Sequence, residues 1–295
     1  MRKKPQKPRV NYLIAPDPQA PDLTRQVEGI DHTGRRGTYA VIEERPLTIF
    51  LNATEIVTAM TIGDYPEFLA LGFLFNQGML SDVSEVSAVS FDHELETVVV
   101  RTTSQTDYEE KLGKRIRTSG CALGTVFEDM FDLVATRRLP AASVRTSWLY
   151  ELSRKINQTP SLYLAAGAIH GTVLCHRDSP LVYMEDVGRH NAVDKIAGWM
   201  MSNNVKPEDK ILYTTGRLTS EMVLKTAMMN IPILVSRSGF TAWGVQISRQ
   251  VNLTLIGRMR GRRYICLSGQ DRLIADSDPK GVPEEHSRHQ RRGSR

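Results

Sequence analysis

Residues 185–195 read Glu-Asp-Val-Gly-Arg-His-Asn-Ala-Val-Asp-Lys. The run puts acids, an arginine, a histidine and an asparagine where an apolar extended segment gives way to a helical one. Such a junction exposes free backbone N–H groups and the positive end of a helix dipole. In layered α/β proteins it is where ligands sit. Three further junctions share the trait. KILYTT runs into Gly216-Arg217, PILVS into Arg237-Ser238-Gly239, and LTLIG into Arg258-Met259-Arg260-Gly261-Arg262-Arg263. Glycine lets a backbone approach a ligand closely, and the guanidinium fork matches phosphate oxygens. Four such ends in one sheet predict a phosphate-bearing, nucleotide-like ligand. Candidate contacts are Asp186, Arg189, His190, Arg217 and residues 258–263.

A second chemical feature lies upstream. Cys121 stands among small polar residues in Thr118-Ser-Gly-Cys-Ala-Leu-Gly-Thr125, where a core cysteine is not expected. Thr125 to Glu128 fits a capping box and predicts a helix from about 126 to 135. A helix start ahead of it, with Lys114, Arg115 and Arg117 nearby, favours the nucleophilic thiolate. Cys175 and Cys266 fall inside apolar strand patterns and read as core. No C-x-x-C, no H-x-x-x-H, no P-loop and no zinc-deaminase signature occurs, so no metal site is predicted.

The 295 residues carry a net charge of +5, which favours anionic ligands. Much of the excess lies in MRKKPQKPR and RHQRRGSR at the two ends, read as solvated tails. Basic stretches lack interleaved aromatics, so nucleic acid is not the expected partner. No apolar run approaches the ~20 residues of a membrane span, and no apolar stretch backs the basic start as a secretory leader would require. Three cysteines make no disulfide framework, and a reducing cytoplasm is the expected setting.

These side chains need a scaffold, and the pattern supplies two parts. Residues 1–38 read as a mobile basic arm. Residues 39–117 read as a small α+β domain: strands TYAVIEE, PLTIFLN and EIVTAMTI, a helix capped by Asp64 with Pro66 in its first turn and Gly78 after its end, then a hairpin around Asp92-His93-Glu94. Residues 118–160 hold the cysteine loop and connecting helices, the second starting at Ser143. Residues 161–270 read as the ligand-binding domain, with apolar strands SLYLA, GTVLCH, PLVYME, KILYTT, PILVS, LTLIG and RYICL and helices over 189–202, 219–230 and 241–251. That alternation predicts an α/β layered sheet. Residues 271–295 read as a charged disordered tail.

EDVGRHNAVDK at 185–195 resembles the signature segment of the FdhD family, the formate dehydrogenase accessory sulfurtransferases. PEFLALGFLFNQG at 66–78, TSGCALG at 118–124, GRLTSEMVLKTAMMNIPILVSRSG at 216–239 and NLTLIGRMRGRRYICL at 252–267 extend the likeness in order over roughly 40–270. The resemblance implies a C-terminal domain similar to cytidine deaminases without their zinc ligands. It implies a homodimer, and a persulfide on Cys121 taken from a cysteine desulfurase. The sulfur would pass to the bis-molybdopterin guanine dinucleotide cofactor for formate dehydrogenase, with Arg258–Arg263 in contact with that cofactor. Many relatives carry C-x-x-C in the loop; here the second position is Gly124. A delivery chaperone that binds the cofactor without sulfur chemistry is the alternative.

Overall fold

The computed structural model describes residues 11–20, 22–103, 131, 133–134 and 136–279. Cys121 and its loop lie outside them, as does the helix expected over 126–135 save residues 131, 133 and 134, which are helical.

The chain forms a mixed α/β structure with several sheets. Strands β1 (Thr24–Ile30) and β2 (Arg36–Ile42) form an antiparallel ribbon. The expected arm is therefore structured here. Composition hid this, because one side chain closes the turn: Asp31 accepts hydrogen bonds from the Thr33 and Arg35 N–H groups and the Thr33 hydroxyl. Residues 12–14 are tied down too. Leu13 N–H donates to Leu181 and Tyr183 N–H to Ile14, so the segment runs beside an otherwise open strand edge.

Strands β3 (Arg45–Leu51), β4 (Thr54–Thr61), β5 (Val86–Asp92) and β6 (Thr97–Thr102) make a sheet in the order β4-β3-β6-β5. Helix α1 (Pro66–Asn76) covers it, with Pro66 in its first turn and Gly78 in the left-handed region just beyond its end (φ 70°). Asp64 does not cap it. The residue before the helix is Tyr65 in a left-handed conformation, and Asp64 turns instead toward Lys195.

The second half is a six-stranded sheet in the order β13-β12-β11-β10-β8-β9. Its strands are β8 (His170–His176), β9 (Ser179–Asp186), β10 (Lys210–Thr214), β11 (Ile233–Ser236), β12 (Thr254–Arg260) and β13 (Arg263–Ser268). Along each strand, side chains alternate between two apolar layers, and both faces are covered, which is why the strands read as unbroken apolar runs. Between β7 (Val144–Arg145) and the big sheet come α2 (Thr146–Gln158) and α3 (Leu162–Ala165). Helix α2 packs on one face; α4 (Arg189–Ser202), α5 (Ser220–Met228) and α6 (Ala242–Gln250) pack on the other.

Three local expectations are corrected. SLYLA is the one-turn helix α3, not a strand: the Ser161 hydroxyl and the Glu185 carboxylate accept N–H groups of its first turn. Ser143 does not start α2. Its opening N–H group is taken by Asp276, which accepts from Ser147 N at 2.9 Å and from the Ser147 and Thr146 hydroxyls. Asp276 is positioned because Leu273 and Ile274, expected in a disordered tail, form β14 (Leu273–Ile274) beside β7.

Helices α1 and α4 meet backbone to backbone. A Cβ on Gly72 would fall 1.7 Å from the Asp194 carbonyl oxygen, and one on Gly198 would fall 1.9 Å from that of Phe68. Gly198→Ala should therefore cost more than the ~1–3 kcal/mol usual for overpacking, read as a lower midpoint in urea unfolding. Asp276 gives a pH-dependent test. The Ser147 N–H, with the neighbouring hydroxyls and Arg145, holds its carboxyl down to about 2. A depressed carboxylate stabilises the fold above its ordinary pKa and stops doing so as pH falls through the folded value. Asp276→Ala should thus lower the melting temperature at neutral pH, with the gap to wild type closing between pH 3.8 and 2.

Candidate functional site

Strand direction decides what lies together. β10, β11 and β12 are mutually parallel, and β8 runs antiparallel to both β9 and β10. The C-terminal ends of β9, β10, β11 and β12 therefore share one edge, where β8 begins. The four junctions singled out in the sequence are brought to one side of the sheet.

Their loops are laced to each other by hydrogen bonds. Thr215 N–H donates to Gly171, Arg237 N–H to Thr214, Leu218 N–H to Gly239 and Arg258 N–H to Ser238 at 2.7 Å. The Ser236 hydroxyl donates to the Gly216 carbonyl at 2.6 Å. Four guanidinium-bearing residues ride on this frame. The Arg189 stem lies against Gly216, where an added Cβ would come within 3.0 Å of it. Arg217 is exposed. Arg237 extends over the Tyr163 ring, 5.8 Å from its centroid. Arg258 sits in a left-handed kink (φ 53°) where the β12–β13 register slips, which turns its exposed side chain out of the strand pattern beside Gly239.

The rest of the 258–263 run divides. Met259 is fully buried in the layer beneath α2. Arg260 and Arg263 face each other across the β12–β13 hairpin, whose turn uses Gly261 at φ 59°. Arg262 lies over the Tyr150 ring and donates to the Asp278 carbonyl, so it is engaged toward α2.

Several signature residues point inward. Asp186 is wholly buried and accepts from the Thr61 hydroxyl (2.5 Å), Lys195 Nζ (2.6 Å), Gly188 N–H (3.0 Å) and Asn191 Nδ2 (2.9 Å). Lys195, equally buried, also donates to Asp64 and to the Glu185 carbonyl. All three ammonium hydrogens thus have acceptors. Burial alone would lower the Lys195 pKa, but Asp186 and Asp64 together raise it. Asp194, the residue before Lys195, takes Asn76 Nδ2 (2.7 Å) and Lys225 Nζ (2.5 Å). His190 meets Glu221 at 3.0 Å, and burial lowers its pKa more than the carboxylate raises it. Asp186 and His190 are thus scaffold on this geometry, whereas Arg189 and Arg217 lie on the edge.

Two groups on or beneath the edge carried no sequence signal. His170 opens β8 between the Arg189 and Arg217 loops, with Nδ1 at 3.3 Å from the Thr215 hydroxyl. Lys225 sits mid-helix in an apolar run, and nothing in its spacing announces a buried ion pair with Asp194. Among the described residues no group of three His, Cys, Asp or Glu side chains is arranged to hold a metal, and no helix is long and apolar enough to cross a membrane. Burial raises the thiol pKa of Cys175 well above its ordinary value and that of Cys266 less, which makes both poor nucleophiles.

Fold and edge together define a mixed α/β protein with arginines gathered at one strand-end edge and buried ion pairs beneath it. The profile of the FdhD/NarQ family matches residues 42–274, and the chain belongs to that family. Curated relatives named sulfur carrier protein FdhD include those of Listeria monocytogenes (30% identical over 246 residues, covering 80% of this chain and 94% of the relative) and Bacillus subtilis (30% over 240 residues, 79% and 90%). The structure superposes on a formate dehydrogenase accessory protein from Desulfotalea psychrophila with a TM-score of 0.70 and 26% identity, over 85% of this chain and 98% of that one.

The buried lock yields a test. Lys195→Met leaves Asp186 without its cation, a loss of the kind that costs about 3–5 kcal/mol. Burial already raises the Asp64 pKa, and Lys195 holds it down. Without the lysine it rises further. A raised carboxyl stabilises below its unfolded value and loses that as pH rises through the folded value. The variant's deficit in urea unfolding should therefore shrink as pH falls from neutral toward 5; a deficit flat with pH would mean lost packing alone.

Proposed function

We propose that this protein is a sulfur carrier for formate dehydrogenase maturation. Cys121 takes up sulfur as a persulfide from a cysteine desulfurase and hands it to the bis-molybdopterin guanine dinucleotide cofactor. The observation that carries the reading is the gathering of Arg189, Arg217, Arg237 and Arg258 on one sheet edge, joined to membership of a family whose curated relatives are named sulfur carriers. The diphosphate bridges of the cofactor are the groups such an edge suits. Backbone N–H groups of the loops and forked guanidinium donors bind phosphate through charge-assisted hydrogen bonds.

The loading step balances without an added oxidant. The Cys121 thiolate attacks the outer sulfur of the desulfurase persulfide, a sulfur–sulfur bond forms at Cys121, and the desulfurase cysteine leaves as thiolate. Gly124 stands where many relatives have a second cysteine, so no neighbouring loop thiol takes the inner sulfur on release. Delivery of the outer sulfur as sulfide takes two electrons, which would come from a reduced acceptor metal centre on direct capture, or from an external thiol reductant that attacks the inner sulfur and is left in a mixed disulfide with Cys121. The same reading takes the six-stranded sheet as a deaminase-like layer, the chain as a homodimer and its setting as the cytoplasm.

Two measurements test the proposal. Incubated with a cysteine desulfurase and cysteine, the wild-type chain should gain one sulfur atom by intact-mass spectrometry, and Cys121→Ala should gain none. Sulfur retained by the variant, or Cys121→Ser fully restoring formate dehydrogenase activity in a deletion strain, would favour a delivery chaperone instead. For the cleft, Arg217→Ala and Arg258→Ala should each weaken guanine dinucleotide binding by roughly 1.5–3 kcal/mol in calorimetry. The Arg260→Ala/Arg263→Ala pair, farther along the hairpin, reports whether the contact extends past Arg258.

A further inference from the structure

An aromatic ring lies against one of the edge arginines, and the way it reaches that position is informative. Tyr163 belongs to the one-turn helix α3, which is fastened from below and from behind. Leu162 is buried beside Ile62 and Ile169. The Glu185 carboxylate, at the end of β9, accepts the Leu162 N–H at 2.8 Å and the Tyr163 N–H at 3.2 Å. Tyr163 is thereby held at the β9 end of the edge. Arg237 follows β11, and β10 and β8 stand between β11 and β9. Three strand spacings separate the two along the edge, roughly 14 Å. The side chains nevertheless meet, with the Arg237 guanidinium carbon 5.8 Å from the Tyr163 ring centroid. Together they cross the ends of β10 and β8.

The crossing lies on the α2 side of the sheet. Tyr183 and Tyr213 belong to the apolar layer beneath α2; burial raises the pKa of both, and Arg237 opposes the rise. The pair is also open to a ligand. Tyr163 keeps 38% of its surface exposed, and Leu164 next to it keeps 60%. Arg237 is half-buried. Apolar surface left in water at the rim of a polar edge is area that folding alone does not recover.

We propose that Tyr163 and Arg237 form a stacking wall for the base of the nucleotide ligand, with its diphosphate directed to Arg217 and Arg258. The inference rests on the anion-binding reading of the edge given above and adds to it the seat of the base. A phenol ring and a guanidinium are both flat, and both take a heterocycle face to face. A guanidinium donates in its own plane, so stacking on its face leaves its N–H groups for phosphate. Arg237 therefore joins the two halves of the ligand. Stacking uses the π face that every base carries, so the wall supplies affinity without choosing guanine over adenine.

Calorimetry on the full chain with three probes, pyrophosphate, GDP and ADP, separates the base from the phosphates. Tyr163→Ala should weaken GDP and ADP alike by roughly 5- to 150-fold, the range that stacking one base on an aromatic ring supplies. Pyrophosphate should bind that variant as it binds wild type, which also shows that the edge is intact. Tyr163→Phe keeps the ring and should bind all three probes as wild type does. Tyr163→Leu keeps an apolar side chain against Arg237 and should lose nucleotide affinity nearly as alanine does, which a tyrosine serving only to pack the arginine would not give. Nucleotide affinity retained in Tyr163→Leu, or a loss shared equally by pyrophosphate and the nucleotides, overturns the stacking wall while binding by wild type preserves the edge reading. A wild-type chain that binds none of the three probes overturns both.

Discussion

The backbone contact between α1 and α4 sets the geometry of the molecule. With Gly72 and Gly198 facing carbonyl oxygens, the two helices approach more closely than any pair bearing side chains there. This closeness lets short polar side chains reach between units. Asn76 on α1 bonds Asp194 on α4, and Asp64 ahead of α1 bonds Lys195. Separate the helices by the width of a methyl group and neither pair closes. Asp194 and Lys195 would then be buried ions lacking part of their coordination, an outcome far costlier than their paired state repays. Glycines and ion pairs are thus one device. The glycines permit the approach, and the charges make any other approach unfavourable.

That device reaches the cleft through Asp186. Its four hydrogen bonds come from four places: the end of β4, the turn at Gly188, the first turn of α4 and Lys195. The Gly188 turn launches α4 and so fixes Arg189, whose stem rests on Gly216 at the end of β10. The first unit therefore helps to place an arginine of the edge. A signature rich in ionisable residues proves to be divided by burial: Glu185, Asp186, Asp194 and Lys195 are buried in the frame, and Arg189 is half-buried at the edge.

Much of this was legible in the sequence. Helix α4 begins and ends where its pattern says, and the strands of the large sheet fall on their apolar runs, because both faces of that sheet are covered and nothing polar interrupts them. Convergence of the four junctions followed from alternation alone. The direction in which charged side chains point did not. Asp186 and Arg189 are three residues apart and equally polar, yet one is sealed under β4 and the other is not, since only the partner elements decide it. The misses at β1–β2, α3 and Asp276 share a cause: each element is completed by one side chain distant in the chain or hidden in a polar turn, and periodicity does not record such bonds.

A cleft built this way has a consequence for charge. The loops that carry its arginines are joined to one another by hydrogen bonds, and the acids of the signature run are engaged beneath them. Asp186 serves Lys195, Asp194 serves Lys225 and Glu185 serves α3. An anion bound among these guanidinium groups would add its binding free energy to the folded state, so ligand binding and fold stability are coupled through the same edge. The buried ion pairs anchor the root of that edge: Asp186, held by Lys195, bonds the Gly188 N–H and Asn191 on either side of Arg189.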